Sequence, residues 1–286
     1  MKSRFTLLLF RILAKFLNLR LFTIFLRAPW LKFAPVEGEK MLFVELFIIG
    51  IGVGYIAGFF GIGGGTVVVP IMVAFGYDVK TAIGISVMQM IFSATFGSYL
   101  NYKAGLLKLN RGVFLGLGGL VGASFSGIIV SHAPALLLES MLLATFVFSL
   151  IKLYFSPNSD GSNANNSLFL LFFVGVFVGV FAISIGIGGG VFIAPILVGF
   201  LRYELKKAVS MGVFFVMFAA IAGFISLSLN GHISYAEGTF LGLGSLIGAY
   251  FGTNKTQNTN KKTLKKWFLL FYIAMICLIL KDMFFE

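Results

Sequence analysis

Apolar residues run through most of this chain in stretches longer than a soluble core requires. No Asp, Glu, Lys or Arg occurs within residues 46–77, 112–138 or 161–201. A membrane-spanning helix needs about 20 predominantly apolar residues, and each of these windows is longer. The windows are continuously apolar, whereas the strands of a membrane β-barrel alternate polar and apolar residues. The pattern therefore predicts an all-α, polytopic membrane protein.

Composition and charge agree with this class. The chain is 59% hydrophobic and 11% charged, whereas about a quarter of the residues of a soluble domain are charged. The net charge of +12 is spread over the N-terminal segment and the short loops between apolar segments. Such a distribution is typical of the cytoplasmic loops of membrane proteins. We therefore expect a membrane protein with no nucleic-acid partner.

Residues 1–40 differ from the rest of the chain and form a separate predicted segment. On a helical wheel Arg4, Arg11, Lys15 and Asn18 share one face, and Leu and Phe fill the other. This pattern predicts a basic amphipathic helix that lies on the membrane surface, with anionic lipid headgroups as its partners. A protein-binding arm is the alternative.

The remaining sequence is written twice. Residues 114–125 (FLGLGGLVGASF) and 240–251 (FLGLGSLIGAYF) are identical at nine of twelve positions. The run GIGGG occurs at residues 61–65 and again at 186–190. We predict an internal duplication, and a polar, turn-rich linker joins the two copies. The predicted boundaries are 41–155 for the first repeat, 156–167 for the linker and 168–282 for the second repeat.

Each predicted repeat contains the same series of segments. A long apolar helix leads into the glycine run, a short apolar helix with an early proline follows, and three longer helices complete the repeat. We therefore predict about eight full membrane-spanning helices and two short helices that are broken or re-entrant.

The charges in the loops predict the orientation of the two repeats. The loops at residues 103–111, 202–207 and 255–266 are basic, whereas the loops around His132 and His232 are nearly neutral. If each repeat has five segments, the basic loops share the cytoplasmic side and the repeats are inverted. If the short helix does not cross, each repeat has four crossings, the repeats are parallel and the basic loops split between both sides. The charge pattern favours the inverted arrangement.

The glycine runs are the candidate binding site. A broken helix at membrane depth is tolerated where it is buried in protein or lines a cavity, and the N-terminus of a half-helix attracts an anion. No charged side chain lies deep in any segment, so neutral donors would hold the anion. The candidate substrate-binding residues are Gly63, Gly64, Gly65, Thr66, Gly188, Gly189, Gly190, Val191, Ser86, Gln89, Ser184 and Ser210, with Ser93 as a further neutral donor. Simple helix-hairpin turns and packing residues are the alternative interpretation.

Other chemistries find little support in the sequence. With two histidines in loops and the single cysteine Cys277, the chain shows no nucleophile–base set and no metal-ligand cluster. We expect no enzyme activity, no metal and no cofactor. The glycines of residues 116–122 and 242–248 miss the dinucleotide-binding pattern, and their Gly-x-x-x-Gly spacing favours close helix packing. A membrane scaffold or assembly factor remains an alternative function.

The two segments GFFGIGGGTVVVPI and ISIGIGGGVFIAPI, each followed by an FLGLGxLxGA helix, resemble the TauE/SafE family of sulfite exporters. The resemblance covers about residues 41–282. It implies a multipass plasma-membrane protein that moves sulfite, sulfonates or related sulfur anions, as an exporter, although another small organic anion is an alternative substrate. The second repeat has Val191 where the first has Thr66, so the two half-sites are not equivalent if that hydroxyl matters.

Overall fold

A computed structural model describes residues 43–156, 164 and 167–285 of the chain. The predicted arm at 1–40 and most of the predicted linker lie outside these residues. The described residues form helices and no strand, which confirms the all-α membrane class. The helices are α1 (Phe43–Phe60), α2 (Gly65–Ala74), α3 (Val79–Lys103), α4 (Leu109–Ala123), α5 (Ser126–His132), α6 (Ala135–Phe155), α7 (Leu168–Ser184), α8 (Gly190–Gly199), α9 (Leu205–Leu229), α10 (Tyr235–Asn258) and α11 (Lys261–Phe285).

Five of the described helical stretches are long and apolar enough to cross a membrane. They are α1, α3, α6, α9 and the continuous stretch Leu109–His132 that contains α4 and α5. Helix α7 has 17 residues, α10 carries a polar C-terminal end, and α11 begins with lysines. The count of eight full spans and the repeat boundaries therefore stay predictions, although long and short helices follow in a similar order in both halves.

Glycine-lined helix pairs join the two halves of the chain. Helix α1 packs along α10, and α7 packs along α4. A Cβ added to Gly54 would lie 2.2 Å from the Ser245 carbonyl oxygen, and one added to Gly122 would lie 2.2 Å from the Val176 carbonyl oxygen. Only glycine allows such close backbone contact, as the Gly-x-x-x-Gly spacing predicts. The first helix of each half is thus fastened to a later helix of the other half.

The basic loops meet at one end of the helix bundle. Glu204 pairs with Lys207 at 3.2 Å and with Lys261 at 3.0 Å, so the starts of α9 and α11 are adjacent. Lys206 Nζ donates to the Gln257 carbonyl at the end of α10. Burial raises the pKa of Glu204, but its bonds to the two lysines outweigh burial and leave the pKa below its usual value. We call this the basic end.

The nearly neutral loops meet at the opposite end. Lys80 Nζ donates to the Ser131 carbonyl at 2.9 Å, and Ser131 Oγ lies 2.9 Å from His232 Nε2. Burial and the Lys80 ammonium lower the pKa of His232 and outweigh the opposing effect of Asp78. We call this the neutral end, and it contains the loops that precede α3, α6 and α10.

Each short helix returns to the end of the bundle at which the preceding long helix starts. Helix α1 runs parallel to α10, because Gly50 contacts Leu241 and Gly58 contacts Ala249. It therefore starts at the neutral end, and α2 returns to that end, where α3 begins. In the second half, α7 starts at the basic end and α8 returns to that end. The basic loops thus share one end of the bundle. The number of crossings in each repeat and the inverted arrangement of the repeats stay predictions. Which end faces the cytoplasm stays a prediction.

We predict that the basic end faces the cytoplasm. In a Cys277→Ala background, Lys108→Cys and Lys262→Cys should react with an impermeant maleimide only after the membrane is permeabilised, whereas His132→Cys should react in intact cells. The background is needed because Cys277 is exposed. Reaction of positions 108 and 262 in intact cells would show the opposite orientation, and reaction of only one of them would exclude the common end.

We also predict that Gly54→Ala loosens the α1–α10 pair. The added methyl group would overlap the Ser245 carbonyl, and overpacking of this kind costs about 1–3 kcal/mol. Gly212→Ala in α9 is the matched control, because its nearest contact would be an ordinary 3.5 Å. Thermal unfolding in detergent should show a lower midpoint for Gly54→Ala and an unchanged or higher one for Gly212→Ala. Equal midpoints would mean that the two helices are not in close contact.

Candidate functional site

The two GIGGG runs lie side by side in antiparallel directions. A Cβ on Gly65 would lie 2.1 Å from the Gly186 carbonyl oxygen, and one on Gly190 would lie 2.4 Å from the Gly61 carbonyl oxygen. These separations leave no room for any side chain, which explains the need for glycine at both positions. The two runs, residues 61–65 and 186–190, form what we call the glycine crossing.

Helix α3 fastens both runs of the crossing. Ser86 Oγ donates to the Gly186 carbonyl at 2.6 Å, and Ser93 Oγ donates to the Gly63 carbonyl at 2.8 Å. Both hydroxyl groups are buried. Each one satisfies a carbonyl that the broken helix leaves without a helical partner, as buried backbone requires. These two predicted site residues therefore hold the backbone of the site in place.

The short helices begin at opposite ends of the crossing. Gly64 and Gly189 cap α2 and α8 with φ angles of 93° and 81°, values that glycine adopts readily. The first N–H groups of a helix have no partner within it and carry a partial positive charge. Since α2 runs to the neutral end and α8 to the basic end, both N-termini point towards the middle of the crossing.

The side chains that cover the crossing differ between the two halves. A Cβ on Gly64 would lie 2.6 Å from Gln89 Oε1, whereas one on Gly189 would lie 2.4 Å from the ring of Phe215. Gln89 and Phe215 occupy equivalent places, 126 residues apart, on α3 and α9. The first residue after the crossing is Thr66 in one half, and its counterpart is Val191 in the other. The N-terminus of α2 is thus polar, and that of α8 is apolar.

Thr66 and Gln89 have unused hydrogen-bonding capacity. Both side chains are fully buried, and within the described part of the chain neither Thr66 Oγ1 nor the Oε1 and Nε2 atoms of Gln89 has a hydrogen-bond partner. A buried polar atom without a partner costs about 1–3 kcal/mol, so native structures rarely retain one without a role. The polar atoms at the N-terminus of α2 are therefore the best candidates for contacts with a ligand.

Two other predicted site residues bond within their own helices. Ser184 Oγ donates to the Val180 carbonyl at 2.7 Å, and Ser210 Oγ donates to the Lys206 carbonyl at 3.0 Å. Both side chains are buried, but their hydroxyl hydrogens are already used. Among the polar side chains predicted for the site, Ser184 and Ser210 thus have a partner in their own helix, whereas Thr66 and Gln89 have none among the described residues.

Sequence reasoning missed two residues that support the second half of the crossing. Pro195 has no N–H, so the Val191 carbonyl four residues earlier loses its helical donor. Ser149 Oγ and Tyr272 OH donate to that carbonyl instead, at 3.2 Å and 3.3 Å. The early proline was the available signal, since it implies that some side chain must supply the missing hydrogen. The sequence did not show which side chain this is.

No group of three or more His, Cys, Asp or Glu side chains that could hold a metal ion occurs among the described residues. Apolar helices, two of them short and adjoining the glycine crossing, define a polytopic α-helical membrane protein, and the glycine crossing is its candidate binding site.

The comparisons with known proteins give the family. The family model described as sulfite exporter TauE/SafE matches residues 46–279, and the chain belongs to this family of membrane transporters. The resemblance noted in the sequence is thereby confirmed.

Relatives with assigned names are described as transporters. The chain is 27% identical over 234 residues to the "Probable membrane transporter protein YdhB" of Bacillus subtilis, covering 79% of this chain and 93% of that protein. It is 27% identical over 249 residues to the "Probable membrane transporter protein MJ0441" of Methanocaldococcus jannaschii, covering 80% and 92%. No solved structure matches the chain.

The unused bonds of Gln89 predict an unusual effect on stability. Without any anion, Gln89→Leu should raise the unfolding midpoint, because it removes buried polar atoms that have no partner, a gain of about 1 kcal/mol or more. Gln257→Leu is the matched control and should lower the midpoint, because that amide donates to the Leu100 carbonyl and to Asn101 Oδ1. The measurement is thermal unfolding in detergent and anion-poor buffer. A lower midpoint for Gln89→Leu would show that the amide is satisfied in the native protein.

Proposed function

We propose that this protein exports small sulfur-containing anions, such as sulfite or a sulfonate, across the cell membrane. The observation that carries the proposal is the fully buried pair Thr66 and Gln89, whose polar atoms lack partners among the described residues, at the N-terminus of α2. The substrate lies in the first half of the glycine crossing, against the amide of Gln89 and the free N–H groups of α2.

The chemistry of this site suits an anion. Each helix N-terminus carries about half a positive charge, and two of them point towards the crossing. Backbone N–H groups, the Gln89 amide and the Thr66 hydroxyl supply donors of fixed direction. A site built from dipoles attracts the anion without holding a permanent charge in the membrane, which makes release easier than it would be from a lysine or arginine.

The architecture suits transport. Broken helices that meet inside a bundle are the common substrate site of secondary transporters, which expose it alternately to the two sides. Here the neutral end is bridged by Lys80, Ser131 and His232, and the basic end by the ion pair between Glu204 and Lys261. Each bridge joins loops of different helices, so opening one of them would give access to the crossing from one side.

Family membership supports the coarser part of the proposal. The family model is described as a sulfite exporter, and the relatives with assigned names are called probable membrane transporters. Membership of a transporter family also favours the prediction that the chain is not an enzyme. The sulfur anion, the export direction and the cell membrane are the parts that this proposal adds.

Flux through liposomes separates the proposal from its alternatives. The purified protein is reconstituted, and efflux of sulfite, thiosulfate and sulfoacetate is compared with efflux of acetate and chloride. Protein-dependent efflux of a sulfur anion supports the proposal. Efflux of only a carboxylate would identify a different organic anion as the substrate, and no efflux from well-folded protein would favour a scaffold. Reversal of the gradient gives the direction in which flux is faster.

We predict that Gly64→Ala abolishes flux while Gly76→Ala preserves it. The two glycines have similar φ angles, 93° and 87°, so alanine causes similar backbone strain at both positions. At Gly64 the new methyl group would also displace the Gln89 amide, which lies 2.6 Å away, whereas no described atom lies within 4 Å at Gly76. Initial flux rates per folded molecule are the readout. Equal rates in the two variants would place the substrate away from Gly64.

A further inference from the structure

The polar groups around the crossing also bear on which form of the anion binds. Resting on the proposed function, we propose that the site selects a monoanion that carries one hydrogen-bond donor, such as bisulfite or a hydroxysulfonate. A fully deprotonated dianion, such as sulfite itself in its basic form, is disfavoured.

The hydrogen-bonding atoms of Gln89 favour a ligand that carries both acceptors and a donor. The Gln89 amide offers two N–H donors and one acceptor oxygen, and both kinds of atom lack partners within the described ranges. Oxygens of an anion satisfy the donors. The acceptor Oε1 needs a hydrogen, and a fully deprotonated oxyanion has none to give.

Two hydroxyl groups next to the crossing already donate their hydrogens to backbone carbonyls. Ser86 gives its hydrogen to the Gly186 carbonyl, and Ser93 gives its hydrogen to the Gly63 carbonyl. The side chains nearest to Gly63, Gly188 and Gly189 include Met90, Phe215 and Val216, which have no donor. In the proposed binding mode the free N–H groups of α2 bind the anion, so the Thr66 hydroxyl is the remaining donor beside Gln89. Its single hydrogen cannot serve both Gln89 and the anion. A ligand that brings its own donor satisfies every group.

The partial positive charge at the crossing favours an anion with a single negative charge. Two helix N-termini supply about one positive charge in total, which matches one negative charge. The described side chains nearest to the points where a Cβ would lie on the glycines of both runs are uncharged: Val69, Ile83, Ser86, Gln89, Met90, Val178, Ala182, Val209, Phe215 and Val216. A dianion would keep about one uncompensated charge in a buried site, which is costly.

A matched pair of ligands isolates the donor from the charge. Hydroxymethanesulfonate and methanesulfonate carry the same charge and differ by one hydroxyl group. Calorimetry on the purified full-length protein should give an affinity about tenfold higher for the hydroxyl-bearing ligand, as expected for a hydrogen bond to an otherwise unpaired buried acceptor. In Gln89→Met, which keeps the shape and loses the amide, the ratio should fall to about one. Thr145→Val is the control, because Thr145 is buried but donates to its own helix at the Met141 carbonyl.

A pH series with sulfite tests the charge. Bisulfite loses its proton near neutral pH, and the side chains nearest to the glycines of both runs carry no ionisable group. The Tyr272 phenol is bonded to the Val191 carbonyl. The ionisable groups Lys80, His232, Glu204, Lys206 and Lys207 lie at the ends of the bundle. Affinity for total sulfite should therefore fall about tenfold per pH unit above that ionisation, in the wild type and in Thr145→Val. Thiosulfate, a dianion throughout, should bind weakly at every pH.

The outcomes separate this inference from the proposed function. A wild-type ratio near one, or sulfite affinity that is constant or rises with pH, overturns the selection of a donor-bearing monoanion and leaves sulfur-anion transport standing. Failure of every sulfur anion to bind or move contradicts the proposed function as well. The wild-type measurements decide both questions even if Gln89→Met does not fold.

Discussion

The close approach of the two glycine runs is the contact on which the rest of this structure depends. A chain that stops being helical inside an apolar bundle must satisfy its free N–H and C=O groups within the protein. Here Gly65 lies against the Gly186 carbonyl and Gly190 lies against the Gly61 carbonyl. Because no side chain separates the runs, serines of α3 can reach their carbonyls, and two helix N-termini can be directed to one place.

The helices of the two repeats therefore pack in a similar way around the glycine crossing, but only the first half of the crossing carries polar side chains. Gln89 and Thr66 give the N-terminus of α2 free donors and an acceptor, whereas Phe215 and Val191 close the N-terminus of α8. Two close helix pairs hold the bundle together, and each pair packs through glycines: α1 with α10, and α4 with α7. The helix packing thus accounts for stability, and in the proposed function the difference between the halves accounts for binding. Free polar atoms at the site lower the stability of the empty protein, a cost that the proposed ligand would offset.

Local patterns in the sequence predicted the short helices and the close helix pairs. The glycine runs predicted short helices directly after them, and the observed helices begin at the last residue of each run, Gly65 and Gly190. The Gly-x-x-x-Gly spacing predicted the close helix pairs. The sequence could not assign the bonding partners of the serines, because these partners lie far along the chain. Ser86 bonds a carbonyl one hundred residues away, whereas Ser184 bonds its own helix. Polarity and burial are the same for both residues, and only the three-dimensional packing distinguishes them.

The central claim is that the substrate anion is bound by the Gln89 amide and the N-terminus of α2. The most direct test is an experimental structure with selenite, a heavier analogue of sulfite, located by its anomalous scattering. The account predicts one peak per chain within hydrogen-bond distance of Gln89 and of the N–H groups of Gly65 or Thr66. The competing location is the basic pocket lined by Lys108, Arg111 and Lys207 near the basic end. A peak in that pocket alone would contradict the account.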